Sequence, residues 1–240
     1  MIPDGIEKLL PANVIEKAYD DTVSPAAREL SKIAVDIVKT GRLLLAPFQL
    51  TAALQERLER AIERIAKRVP EDRRIEAPAE IVGPSLEQMK YLDETNPLWQ
   101  MFEELLTQSV DAAKIAKVHP SFAQLIMQLS RDEAVLLSGL RKHKFAVVDT
   151  LDYIKKENRF ENRTVESSDI PESDLWGPDR ITLYSSHLIS LNLIEWPVEK
   201  QEPILDSSGS QTGIRRHSAM QLSEFGRLFV DACIPDGGFT

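Results

Sequence analysis

The sequence predicts a mainly α fold with a small β component: an N-terminal helical bundle over residues 1–120, then a winged-helix-like α+β domain over residues 121–240. Three observations lead there. Glycine accounts for only 10 of 240 residues, about 4% against a usual ~7%, which favours helices over a turn-rich sheet fold. Apolar residues recur at three- and four-residue steps through most of the first half. Beyond residue 145 the texture shifts to short apolar runs interleaved with helical ones.

The elements follow in order. Ser24-Pro25 is a helix start, since Ser accepts from first-turn amides and Pro fits the first helical position without losing a bond. Leu30, Ile33, Ala34, Ile37, Val38 and Leu44 form the stripe of that helix, which Pro47 breaks. A second helix runs from Thr51 to Val69 on Leu54, Leu58, Ala61, Ile62, Ile65 and Val69. Its opposite side carries Glu56 with Arg60 and Glu63 with Lys67, favourable four-residue pairs that read as a solvated face. Pro70, Pro78 and Pro84 mark a linker or a hairpin connection across the helical bundle, and Ser85 with Gln88 reads as a capping box opening a short helix. Asn96-Pro97 starts another, with Trp99, Phe102, Leu105, Leu106, Val110 and Ala113 at helical spacing. Ser130 with Glu133 caps a helix over Arg131 to Lys142.

In the second half, Phe145 to Val148 reads as a strand and Leu151 to Lys156 as a short helix. The stretch 158–178 is polar, acidic and without helical period, so an exposed loop insertion is expected. Arg180 to Leu191 is an amphipathic helix, Leu193 to Trp196 a strand, Asp206 to Gly213 a turn, and Ser218 to Leu222 a returning strand before a helix from Ser223 to Cys233. Helix, strand, helix, strand, flexible tip, strand, helix is the plan of a winged helix. Its two corners are Leu188 to Glu195 and Leu222 to Phe229, where Ser223 caps a helix and Gly226 admits a close neighbour.

The formal charge of −9 and pI near 5.1 argue against a broadly basic surface for nucleic acid or anionic membrane. The lone Cys233 builds neither an intramolecular disulfide nor a cysteine zinc site, and no secretory leader is recognisable at the N-terminus, so a cytoplasmic setting is expected. Neither GxGxxG nor GxxxxGK[ST] occurs. The histidines at 119, 143, 187 and 217 lack a second ligand at three- or four-residue spacing, and adjacent Ser186 and His187 point about 100° apart on a helix. The expectation is a protein without enzymatic activity, catalytic residues, cofactor or metal. The wing raises DNA as a partner, but the would-be recognition helix offers only Arg180 and His187 as polar cations, too few for groove reading. Arg215, Arg216 and His217, placed at the wing tip, complete the candidate contacts to nucleic acid or a protein partner. Residues 150–240 hold nine Lys and Arg against fifteen Asp and Glu, so nucleic acid is disfavoured where the shape suggests it. A membrane role through Leu43 to Phe48 is weaker still, because the surrounding apolar run contains Asp36, Lys39 and Arg42.

Three stretches carry a family likeness: Gln128 to Ala134; Tyr184 with His187 to Ile194; and Leu222 to Ile234. Here the chain resembles the abortive infection alpha family, a group of bacterial proteins tied to phage defence. One departure is Asn192, where a Gly is common in such turns, and Asn is the best replacement in a left-handed conformation. The resemblance implies a role in phage-induced growth arrest or death and brings no catalytic residues. The leading expectation is therefore a phage-defence protein acting by contact with a phage or host protein. A winged-helix transcriptional regulator is the alternative, and a membrane-damaging toxin the second alternative.

Overall fold

The first described helix, α1 (Ala52–Arg68), buries Leu54, Leu58, Ala61, Ile62 and Ile65 as its spacing predicts, with Ala66 buried besides and Val69 buried just past its end. The structure is a computed structural model and describes residues 52–239. The expected helix after Pro25, its break at Pro47 and the Leu43 to Phe48 segment lie outside those residues. The described residues group into two units, one of residues 52–91 and 105–120, the other of 92–104 and 121–239.

In the first unit, Arg74 closes the end of α1. Its Nε donates to Val69 O at 2.9 Å and its Nη2 to Ala66 O at 2.7 Å, satisfying carbonyls that a helix end leaves open. Beside it, Arg73 Nη2 meets buried Asp111 at 2.8 Å, and the Ala112 N–H donates to Arg73 O. Helix α2 (Ala79–Met89) starts just after Pro78 and contains Pro84. This corrects the expected linker and capping box: Ser85 is a buried mid-helix residue whose Oγ donates to Ile81 O at 2.7 Å. Burial of Ile81, Val82, Leu86 and Met89 outweighs the local penalty of an interior proline. Helix α3 (Pro97–Ser109), whose residues up to Glu104 are grouped with the second unit, begins as read, with Asn96 Oδ1 accepting the Leu98 N–H. It stops four residues before Ala113, where Asp111 Oδ1 accepts the Ala113 N–H and folds the chain into a turn.

The second unit is α+β. Helices α4 (Ser121–Gln128) and α5 (Arg131–Lys142) precede the sheet, and α5 carries the full capping box: Ser130 and Glu133 each satisfy the other's backbone N–H. Strand β1 (Phe145–Ile154) takes up Leu151 to Ile154 of the expected short helix, Lys155 and Lys156 being turn residues, and β2 (Arg159–Ser168) pairs with it antiparallel where a loop is expected. Nearly every residue of β2 is exposed, so the in–out alternation that betrays a strand is missing. Asn158 and Asn162 take φ of 47° and 53°, at the turn and within the strand. Then come α6 (Ile181–Ser190), β3 (Ile194–Glu195), β4 (Val198–Leu205), β5 (Gln211–Leu222) and α7 (Glu224–Cys233). The antiparallel order is β2-β1-β5, with β3 and β4 both pairing the far side of β5.

The corner between α6 and α7 is a close backbone approach. Asn192 adopts φ 56°, turning α6 into Leu193, whose carbonyl accepts the Ser223 N–H at 3.1 Å. Ser223 Oγ accepts the Gly226 N–H at 2.8 Å. A Cβ on Gly226 would sit 1.8 Å from Leu193 O, so the helix start touches the strand backbone and only glycine fits. Leu188, Leu193, Phe229, Val230 and Cys233 are buried there, and Phe122 meets Phe229 edge-on at 5.4 Å. Burial pushes the Cys233 thiol well up, with Glu104 adding to it, which keeps that sulfur protonated.

Candidate functional site

Two polar assemblies in the second unit hold the chemistry. The first lies at the start of α5. The helix N-terminus favours negative charge, and Asp132 is placed there with 4% exposure. Its Oδ1 accepts the Trp176 N–H at 3.0 Å; its Oδ2 accepts the Gly177 N–H at 2.9 Å and the Tyr184 hydroxyl at 3.0 Å. Arg131 Nη1 reaches Oδ1 at 3.0 Å. Burial works to raise this carboxyl, but those donors outweigh it and hold the pKa below the ordinary aspartate value. Tyr184 is raised in turn by its burial and by the carboxylate beside it. Next along, buried Glu133 accepts from Ser130 N and Oγ with one oxygen, and its Oε1 lies 2.6 Å from His187 Nδ1. Trp176 itself is 81% exposed, with the Arg131 guanidinium 4.5 Å from its ring centre.

The second assembly is on the sheet. Asp149 of β1 lies opposite Arg216 of β5 in register. Arg216 Nε and Nη2 donate to its two oxygens at 2.8 and 2.9 Å, and Arg163 of β2 reaches the same carboxylate from the other side. Burial opposes ionisation of Asp149, yet the two guanidiniums hold its pKa down, and it raises that of Arg216. The Arg163 guanidinium lies 5.8 Å from the Trp196 ring centre, and Trp196 Nε1 donates to Ser218 Oγ. On neighbouring residues, Arg215 makes a two-pronged pair with Glu166 at 2.8 and 2.9 Å, and His217 Nε2 lies 3.5 Å from Glu202.

The expected contact residues are thus redistributed. Arg215, Arg216 and His217 are not at the hairpin tip, which is formed by Asp206 to Ser210. They sit inside β5, opposite Thr150, Asp149 and Val148 on one side and Glu202, Gln201 and Lys200 on the other. The run of cations is a strand interior whose side chains alternate faces, so consecutive cations point apart. His187 is tied to Glu133, and Arg180 is exposed in the 3-10 turn Pro178–Arg180 that leads into α6. The basic run 141–144 is also engaged: Arg141 holds Asp236 at 2.6 Å and Ile234 O at 2.8 Å, and Lys144 holds Glu199 at 2.6 Å. Asp149, Arg163 and Trp176 are members of these two assemblies that sequence reasoning misses. An acid on β1 and an arginine on a strand without apolar alternation carry no local signal, and Trp176 lies within the stretch expected as a loop.

Among the described residues, no group of three or more His, Cys, Asp or Glu side chains is arranged to hold a metal ion, and no helix is long and apolar enough to cross a membrane.

The abortive infection alpha family model matches residues 52–233, and the chain belongs to that family. Membership implies a phage-defence role. No curated protein and no solved structure matches the chain.

Proposed function

We propose that this chain is a non-enzymatic phage-defence protein of the cytoplasm that acts by contacting a phage or host protein through a winged-helix-like unit. The observation that carries the contact half is the pairing of the sheet cations. Arg163, Arg215 and Arg216 each hold a carboxylate of this chain. Phosphate binding requires cations that can exchange counterions for phosphate oxygens, and these would first have to leave Asp149 or Glu166. The winged-helix-like reading draws support from the antiparallel order β1-β5-β4, from α6 feeding β3 and from α7 closing the unit. The β1–β2 hairpin is an addition to that plan. A groove-reading helix normally follows a partner helix, whereas only two 3-10 turns separate β2 from α6.

The test is affinity capture of the full chain from phage-challenged and unchallenged cells. A partner protein retained at physiological salt is the expected result, and a wild-type chain that retains none counts against the proposal. The DNA-reading alternative has its own check. A sequence-selective gel shift at physiological salt, lost in Arg215→Glu with Arg216→Glu, would establish it.

A further inference from the structure

We infer that Trp176, flanked by the carboxylates of Glu172, Asp174 and Asp179, is the docking point for a basic segment of a partner protein, taking a lysine or arginine against the free side of the indole. This rests on the protein-contact reading above and names the surface and the partner's chemistry.

Trp176 is the most exposed of the large apolar side chains among the described residues. It is also held. Buried Leu175 precedes it, and its own N–H and that of Gly177 are bound by Asp132. A Cβ on Gly177 would lie 2.8 Å from the Tyr184 hydroxyl oxygen and displace the group that donates to Asp132. A tryptophan fixed in this way has lost its backbone freedom before any partner arrives, which lowers the entropy cost of binding. One side of the ring carries the Arg131 guanidinium, so the site already displays the kind of stacking that a partner's cation would repeat.

The charge around it supplies the complement. Residues 169–179 contain four carboxylates and no cation. Asp169 accepts the Ala146 N–H. Of the two cations beside the segment, Arg131 is paired with buried Asp132 and donates to the Asp174 carbonyl at 3.0 Å, and Arg180 follows Asp179 directly in the chain. Glu172, Asp174 and Asp179 are exposed, and none has a cation partner among the described residues. The sheet cations are neutralised in place while these anions are not, so the surface favours a positively charged partner. Tryptophan is among the residue types most enriched in interface hot spots, and the carboxylates beside it supply the charge selection.

The full chain carries tryptophans at 99, 176 and 196, giving three indole N–H signals in a nitrogen–proton NMR spectrum. Titration with a deca-arginine peptide should move the Trp176 signal and leave that of buried Trp99 in place, with deca-glutamate moving neither. Trp176→Ala, and separately Glu172→Lys with Asp174→Lys and Asp179→Lys, should each weaken deca-arginine binding by about tenfold or more. Trp176→Ala retains the N–H that Asp132 holds, so its melting temperature should match the wild type. A stationary Trp176 signal, or undiminished affinity in both variants, overturns the site. Capture from phage-challenged cells separates the two levels. A partner held by the wild type and lost from Trp176→Ala supports the site. One held equally by both overturns the site and leaves protein contact standing. No partner on the wild type overturns both.

Discussion

Asp132 and Asp149 belong to the same unit and are almost equally buried, at 4% and 1% exposure, yet they are satisfied in opposite ways. Asp132 is bound by two backbone N–H groups, a tyrosine hydroxyl and one arginine. Asp149 is bound by two guanidiniums from the strands on either side. The first carboxylate fixes where the chain goes, because its partners are peptide groups at residues 176 and 177 and the helix that follows. The second fixes where charges go, because it holds the side chains of two neighbouring strands. One end of this unit is therefore built from backbone joints, and the sheet is built from side-chain pairs that remove its cations from use.

The contrast breaks most completely where a joint has no freedom to relax. Gly226→Ala places a methyl carbon 1.8 Å from Leu193 O, a backbone atom fixed by its bond from Ser223 N–H. The expected cost is about 4 kcal/mol or more, read as loss of the cooperative urea transition or a steep fall in its midpoint. A variant with wild-type stability would show that the corner is looser than its geometry.

Next in size come the two aspartates themselves. Asp132→Ala strands a buried tyrosine hydroxyl and two peptide N–H groups, with an expected cost of about 3 kcal/mol. Asp149→Ala should cost less, about 1–2 kcal/mol, because the Arg216 and Arg163 side chains are 29% and 40% exposed and can turn to water. Denaturant titration of both variants ranks them, and a larger loss for Asp149 would reverse the assignment of which end carries the fold.

Acid probes the same pair without mutation. Both carboxyls titrate below the ordinary aspartate value of 3.8 in the folded protein. The unfolded chain therefore takes up their protons first as pH falls. Their contribution is present in full above about pH 4, and is lost as the pH drops through the depressed folded values. Stability should be flat in this respect from about pH 7 to 5 and fall below about 4. In Asp132→Asn the acid slope should be shallower than in the wild type.

The joints are legible in the amino-acid sequence, and the ion pairs are not. Ser130 with Glu133, Ser223 with Gly226, and Asn192 in a left-handed turn are local rules: a cap, a close approach and a positive φ are each written within four residues. Asp149, Arg163 and Arg216 come from three strands, any two of them at least 14 positions apart in the chain. Their meeting depends on sheet register, which has no local signature in a strand as exposed as β2. The same gap explains why Arg215 to His217 are expected at the hairpin tip: a run of cations before a strand end looks alike whether it lies in a loop or in the ladder. Pro84 misleads in the opposite direction. Local propensity argues for a linker, and burial of Ile81, Val82, Leu86 and Met89 keeps the helix.

The smallest stability effect tests the functional half of the contrast. Glu166 and Arg215 form a pair reached by water, with side chains 36% and 43% exposed. Arg215 lowers the Glu166 pKa through their paired hydrogen bonds, and Glu166 raises that of Arg215. Exposed pairs of this kind add little to folding, so Glu166→Gln should leave the melting temperature unchanged. Its consequence is a freed guanidinium. With Glu202→Gln added, Lys200 and His217 lose their shared acid as well. If internal pairing is what keeps this sheet from phosphate, the double variant should gain weak DNA binding without sequence preference, steeply lost as salt rises, while the wild type shows none. Equal binding by both proteins would mean that the pairs open freely, and the sheet cations would then return as candidates for nucleic-acid contact.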